Sequence, residues 1–270
     1  MTNWLKLITL CLMLCLSAAQ QPSEINPSWV RADYNLIETL IKAMQEGPNQ
    51  VEQYYRKRTA FNSVENLGFG WTYREAQIGA GFISIKGFFY YKNSKLVSYA
   101  IHPQLPHEQS LVAKYRSWYA KSFTVTQTGV APFSFNEEAL QRPVSTISSL
   151  SKASIPVRIG LYMSPASGVE YGHSGGFASA LLDNRKSFLA IRGQLKPQDV
   201  LFIMHAVNPA SRLTAIEYYW QNKNLFNNRE DIDKWVEQVF KELPQVKTMF
   251  GCTLVSHGAK ELVGKYSQKN

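Results

Sequence analysis

The stretch F-I-S-I-K-G-F-F-Y-Y at residues 82–91 constrains the fold more than any other part of this sequence. β-Branched and aromatic side chains fit a pleated surface, so a run this rich in them predicts a strand. The polar K-N-S-K at 92–95 predicts a turn, and L-V-S-Y-A-I-H at 96–102 the returning strand, which together make a β-hairpin. Neighbouring aromatics in an extended chain point to opposite faces. One set therefore fills a core, while the other either packs as well or lines a surface or groove.

Helical spacing frames this hairpin. Asn26-Pro27 is a start signal, Val30, Ile37, Leu40, Ile41 and Met44 recur at helical intervals, and Gly47-Pro48 is a stop. A short second helix is expected over Val51 to Arg58. A third runs from about His107 to Lys121, with Leu111, Tyr115 and Trp118 on one side. Phe123 to Thr128 is a strand candidate. Residues 129–155 hold Gly129, Pro132, Pro143 and a serine-rich run, and read as a long loop or a boundary between lobes.

Beyond the boundary, V-R-I-G-L-Y-M at 157–163 predicts a strand. F-A-S-A-L-L and S-F-L-A-I-R flank Asp183-Asn184-Arg185-Lys186 like a second hairpin. Pro197 to Val207 suits a helix or a buried strand equally well. Asn208-Pro209 starts a helix through Trp220. Asp231 to Leu243 is amphipathic, with Ile232, Trp235, Val236, Val239 and Phe240 on one face, and Val246 to Val255 closes the chain as a strand. The sum is an α+β fold, antiparallel hairpins or a mixed sheet packed with about five helices. The expected organisation is an N-terminal lobe at 20–128 and a C-terminal lobe at 156–270, or a single domain at 20–270.

The first residues address the compartment. Lys6 precedes an apolar run from Leu7 to Leu16, and Ser17-Ala18-Ala19 places small residues at a cleavage position, so residues 1–19 read as a signal peptide. Of three cysteines, Cys11 and Cys15 leave with it and only Cys252 remains, which rules out an intramolecular disulfide. The chain also lacks an N-x-S/T sequon. Both absences favour a bacterial periplasmic or secreted protein. No later apolar run is long enough to span a bilayer.

The formal charge is +9, which attracts anionic partners: lipid headgroups, an acidic envelope polymer or another envelope protein. Its densest cluster, Arg56-Lys57-Arg58, follows Tyr54-Tyr55, and with Trp71 these residues (Tyr54, Arg56, Lys57, Arg58) form a candidate basic, aromatic binding surface. A solvated helix end is the plainer account of the same charges. No nucleic-acid module is present.

Gly172, Ser174 and Gly176 spell G-x-S-x-G, which resembles the nucleophile elbow of α/β-hydrolases. The resemblance covers five residues. It implies Ser174 as nucleophile, His257 as base and an aspartate, Asp199 first, as orienting group. The competing reading is a glycine loop leading into a strand. Cys252, in M-F-G-C-T-L-V, reads as a structural cysteine of the last strand. His102, His107 and Glu108 match no compact zinc pattern, and dinucleotide and P-loop fingerprints are absent, so neither metal nor cofactor is expected. Glu170, Glu217 and Glu137-Glu138 are available carboxylates that spacing does not distinguish. Two functions follow: an exported binding protein, or a serine hydrolase using Ser174 and His257.

Overall fold

A computed structural model describes residues 25–62, 64–147 and 154–268. The expected signal peptide at 1–19 and positions 148–153 of the boundary stretch lie outside the described residues. The fold is α+β, with antiparallel sheets and nine α-helices among the described residues.

Helix α1 (Pro27–Glu46) begins where Asn26 accepts the Ser28 N–H at 3.0 Å and Pro27 takes the first position, and it ends at Gly47, φ +113°. Helix α2 (Pro48–Arg58) follows at once. Five strands then pair antiparallel in chain order: β1 (Glu65–Gly68), β2 (Trp71–Gly79), β3 (Ser84–Lys92), β4 (Lys95–Pro103) and β5 (Phe133–Phe135). The expected hairpin is β3–β4. Asn93 and Ser94 both have positive φ, +49° and +65°, the requirement of a two-residue turn whose twist matches its strands. Helix α3 (Gln109–Tyr119) returns across α1.

The alternating aromatics of β3 serve two cores. Ile85, Phe89 and Tyr91 face α1 and α2, where they join Leu36, Ile37, Leu40, Val51 and Tyr55. Gly87 lies on this face because any side chain there would collide with the Tyr55 ring, at 2.8 Å. Trp71, Tyr73, Phe88 and Tyr90 face the other way, packing with Leu140, Val144, Val169 and Val207 from later in the chain. Both faces of the sheet are therefore apolar and covered.

The C-terminal half comprises α4 (Val157–Met163), the two-residue strands β6 (Ser174–Gly175) and β7 (Ala180–Leu181), then α5 (Asp183–Arg192), α6 (Pro197–Met204), α7 (Pro209–Gln221), α8 (Arg229–Glu242), the hairpin β8 (Gln245–Phe250) and β9 (Thr253–Gly258), and α9 (Ala259–Ser267). Helix α7 is buried from Pro209 through Glu217 and is the axis of this half.

Here several local expectations give way. Residues 157–163 are helical, because Ile159, Gly160, Tyr162 and Met163 are the buried positions, a helical interval that a seven-residue apolar run also permits. S-F-L-A-I-R belongs to helix α5, not to the second arm of a hairpin. Between Val125 and Val130 there is a single bridge in place of a strand. The last strand is folded into a hairpin, with Gly251 at φ +57° and Cys252 in the turn. Cys252 is thus exposed instead of buried mid-strand.

The two halves lock at the β1–β2 turn. Gly68, Phe69 and Gly70 all have positive φ, +81°, +55° and +75°, which projects Phe69 outward. Its ring stacks on Trp235 of α8 at 4.9 Å, and the guanidinium of Arg212 lies 4.8 Å over it. Glu242 accepts the Phe69 N–H at 3.3 Å, and Lys92 donates to its carbonyl. Arg212 is fully buried and donates to the carbonyls of Ala206, Val207 and Leu67. Burial lowers its pKa to about 9, against the pull of Glu242, so the cation persists at neutral pH.

Candidate functional site

The segment Tyr171-Gly172-His173 is held from beneath by one carboxylate. Glu217, on buried α7, accepts the Tyr171 hydroxyl at 2.9 Å and a two-pronged bond from Arg185 of α5 at 3.1 and 2.6 Å. The Arg185 Nε donates in turn to the Gly172 carbonyl at 3.1 Å, and His173 Nε2 lies 3.7 Å from Glu217. Burial pushes the Glu217 pKa up, but the donors from His173, Arg185 and Tyr171 outweigh it and hold the group at about 2. In the sequence Glu217 is one of several undistinguished carboxylates, and His173 stands 44 positions away. Their pairing lies in the fold, and no spacing announces it.

The glycines of this stretch have structural work. A side chain at Gly172 would press on Thr248 and Leu182, at 3.1 and 3.2 Å, and one at Gly175 would collide with Met249. Gly176 has φ +72°. These positions let residues 171–176 run close beside β8, where Tyr171 N–H donates to Lys247 O at 2.8 Å and Gly176 N–H to Gly251 O at 2.6 Å.

The expected triad is not brought together. Ser174 is exposed on β6 and leads into a 3₁₀ turn at Phe177–Ser179, and the next α-helix starts only at Asp183. An elbow requires the serine at the mouth of a helix. His257 sits on β9 opposite Val246, while Ser174 lies beyond the other edge of β8, near Met249. Strand β8 therefore lies between them. Among the described residues no hydrogen bond joins them. Among the described residues the His257 Nδ1 is buried without a hydrogen-bond partner, 3.7 Å from Glu261. Asp199 caps α6, accepting the Lys196 N–H at 2.9 Å.

The expected binding patch is also rearranged. Arg56, Lys57 and Arg58 form the last turn of α2, where cations complement the helix dipole. Arg56 pairs with Glu52 at 2.5 Å, and Arg58 lies 4.8 Å over the Tyr54 ring, whose hydroxyl donates to Leu36 O. Trp71 requires a correction. It is buried on the second face of the sheet at 7 % exposure, because that face packs on the C-terminal half, and no ligand can stack on it.

Sequence reasoning also missed a serine–histidine contact. Ser145 Oγ lies 2.7 Å from Nδ1 of His205, whose ring stacks on Trp235 at 3.9 Å. Burial, then the nearby Arg212 charge, lower the His205 pKa to about 3. These surroundings hold the ring neutral, as a structural hydrogen-bond partner of Ser145. Val144 N–H also donates to His205 O at 2.8 Å, so the pair clasps this segment of chain.

The remaining surface feature is apolar. Where the tips of β6–β7 and β8–β9 meet at the Gly176–Gly251 bond, Phe177 is 93 % exposed, and Leu181, Phe250 and Leu254 are each more than two-fifths exposed. Lys265 Nζ lies 5.9 Å from the Phe250 ring. Among the described residues no cluster of three metal-ligating side chains occurs, and no helix is long and apolar enough to cross a membrane. No family model, curated protein or solved structure matches the chain.

Proposed function

We propose that this is an exported binding protein, periplasmic or secreted, that docks on an anionic envelope surface through the joined hairpin tips. The observation that carries this reading is the nearly complete exposure of Phe177, with Leu181, Phe250 and Leu254 also exposed on the two joined hairpins. Large apolar side chains held in water mark contact surfaces, and burying one such side chain stabilises a contact by about 2 kcal/mol. Lys265 beside Phe250 and a formal charge of +9 supply the complementary sign. The tips replace the 54–58 patch as the contact surface, because there Arg56 and Arg58 are already occupied within the protein.

Cosedimentation with vesicles containing phosphatidylglycerol tests the reading. Binding is expected to weaken about tenfold in Phe177→Ser, and to fall as salt rises from about 0.05 to about 0.5 M. Equal binding to neutral vesicles, or no loss in Phe177→Ser, overturns it. A serine-reactive phosphonate is expected to leave the folded protein unlabelled. Labelling that Ser174→Ala abolishes would replace binding with catalysis.

A further inference from the structure

A recess lies between the halves, away from the hairpin tips. Two adjoining cavities of about 210 and 280 Å³ share Glu65, Tyr73 and Lys247 on their walls. One wall is the β1–β2 edge of the five-stranded sheet and the other is the β8–β9 hairpin. Val169, Pro209 and Val246 supply an apolar floor, while Asn62, Asn66, Gln245 and Ser256 supply amides and a hydroxyl around the rim.

The charges here are arranged in pairs. Lys247 is bound to Glu65, and Lys86 lies 3.4 Å from Glu75. A cationic ligand would have to displace seated lysines, and an anionic one would face Glu170 as well as the two paired carboxylates. Tyr73 is half-buried, and among the described residues its hydroxyl has no hydrogen-bond partner. Burial, then Glu170, Glu65 and Glu75, raise its pKa, so it stays a donor at any physiological pH. A recess at the junction of two halves, with an apolar floor and a few convergent polar groups, has the make-up of a small-ligand site.

We infer that this cleft binds a neutral, hydroxyl-rich ligand: a short saccharide whose ring C–H face lies on Val169 and Pro209 and whose hydroxyls bond Tyr73, the paired carboxylates and the amides. Vicinal hydroxyls both donate and accept, as does this lining. The site is independent of the docking surface at Phe177.

The test is titration of the full exported chain with glucose, galactose and N-acetylglucosamine oligomers, followed by calorimetry and NMR. At least one series is expected to bind with Kd of about 1 mM or tighter. Tyr73→Phe keeps the ring packing and is expected to weaken binding about tenfold, the loss of one hydrogen bond. Glu170→Gln serves as a second variant with an unchanged fold by circular dichroism, and Phe177→Ser is expected to bind saccharide like the wild type. The inference is overturned if every series fails up to about 10 mM, if Tyr73→Phe binds unchanged, or if spermidine binds the cleft more tightly than any sugar.

Discussion

Around α1, the sheet closes over Leu36, Ile37, Leu40, Tyr55 and Phe89, and among the described residues Asp33 is the one buried charged group on that side. Around α7, the buried set includes Arg185, Arg212, Glu217 and Asp199, with Asn184, Asn208, Ser211 and Thr214 between them. Asn208 alone donates to Ser164 O, Ser167 Oγ and Gly168 O. The first core is specified by shape. The second is specified by a network in which each donor must find its acceptor, since an unpaired polar group in low dielectric costs more than a paired one gains. The C-terminal half should therefore be the more fragile to single substitutions and to acid.

The largest effect expected is from Glu217→Leu, which strands Arg185 without its partner and should cost about 3–5 kcal/mol in urea denaturation. The double variant Arg185→Met/Glu217→Leu should recover most of that loss, because it removes both charges. A single-variant loss below about 1 kcal/mol would erase the distinction between the two cores. The pH dependence follows the same pair. The folded Glu217 pKa is depressed to about 2 from 4.5, so its stabilisation is complete above about pH 4.5 and is lost as pH falls toward 2.

On the N-terminal side, Asp33→Asn should cost about 1–3 kcal/mol. The carboxylate accepts Gly81 N–H and Phe82 N–H, both at 2.7 Å, and the Tyr115 hydroxyl at 2.6 Å, and an amide offers only one acceptor oxygen. His205 gives a third comparison. Its pKa falls from 6.5 to about 3 on folding, so the stabilising neutral form is intact above pH 6.5 and stability declines below it. The expected loss by pH 5 is about 2 kcal/mol, and His205→Gln should flatten it. Phe177→Ser should change stability by no more than about 0.5 kcal/mol while weakening vesicle binding about tenfold, which separates docking from folding.

Much of the N-terminal fold was legible because its signals are local. The Asn26 cap, the Gly47-Pro48 stop and the β3–β4 turn each act within a few residues, and the start of α7 at Asn208-Pro209 was readable for the same reason. Residues 157–163 and 183–192 were not legible as helices, since short apolar runs satisfy both periods until neighbours choose between them. For the site, G-x-S-x-G drew attention to the right stretch, but the groups that hold it come from α5 and α7. The clasp between Ser145 and His205 spans 60 positions.

By itself the sequence determined the basic charge, the single cysteine after residue 15, the caps and the aromatic hairpin. Each depends on composition or on contacts between near neighbours. Only the tertiary structure decided that Trp71 is buried, that Ser174 and His257 lie on opposite sides of β8, and that Glu217 joins Tyr171 and Arg185 across 46 and 32 positions. The physical reason is that burial and buried hydrogen bonds depend on which distant surfaces meet, and spacing along the chain carries no information about that.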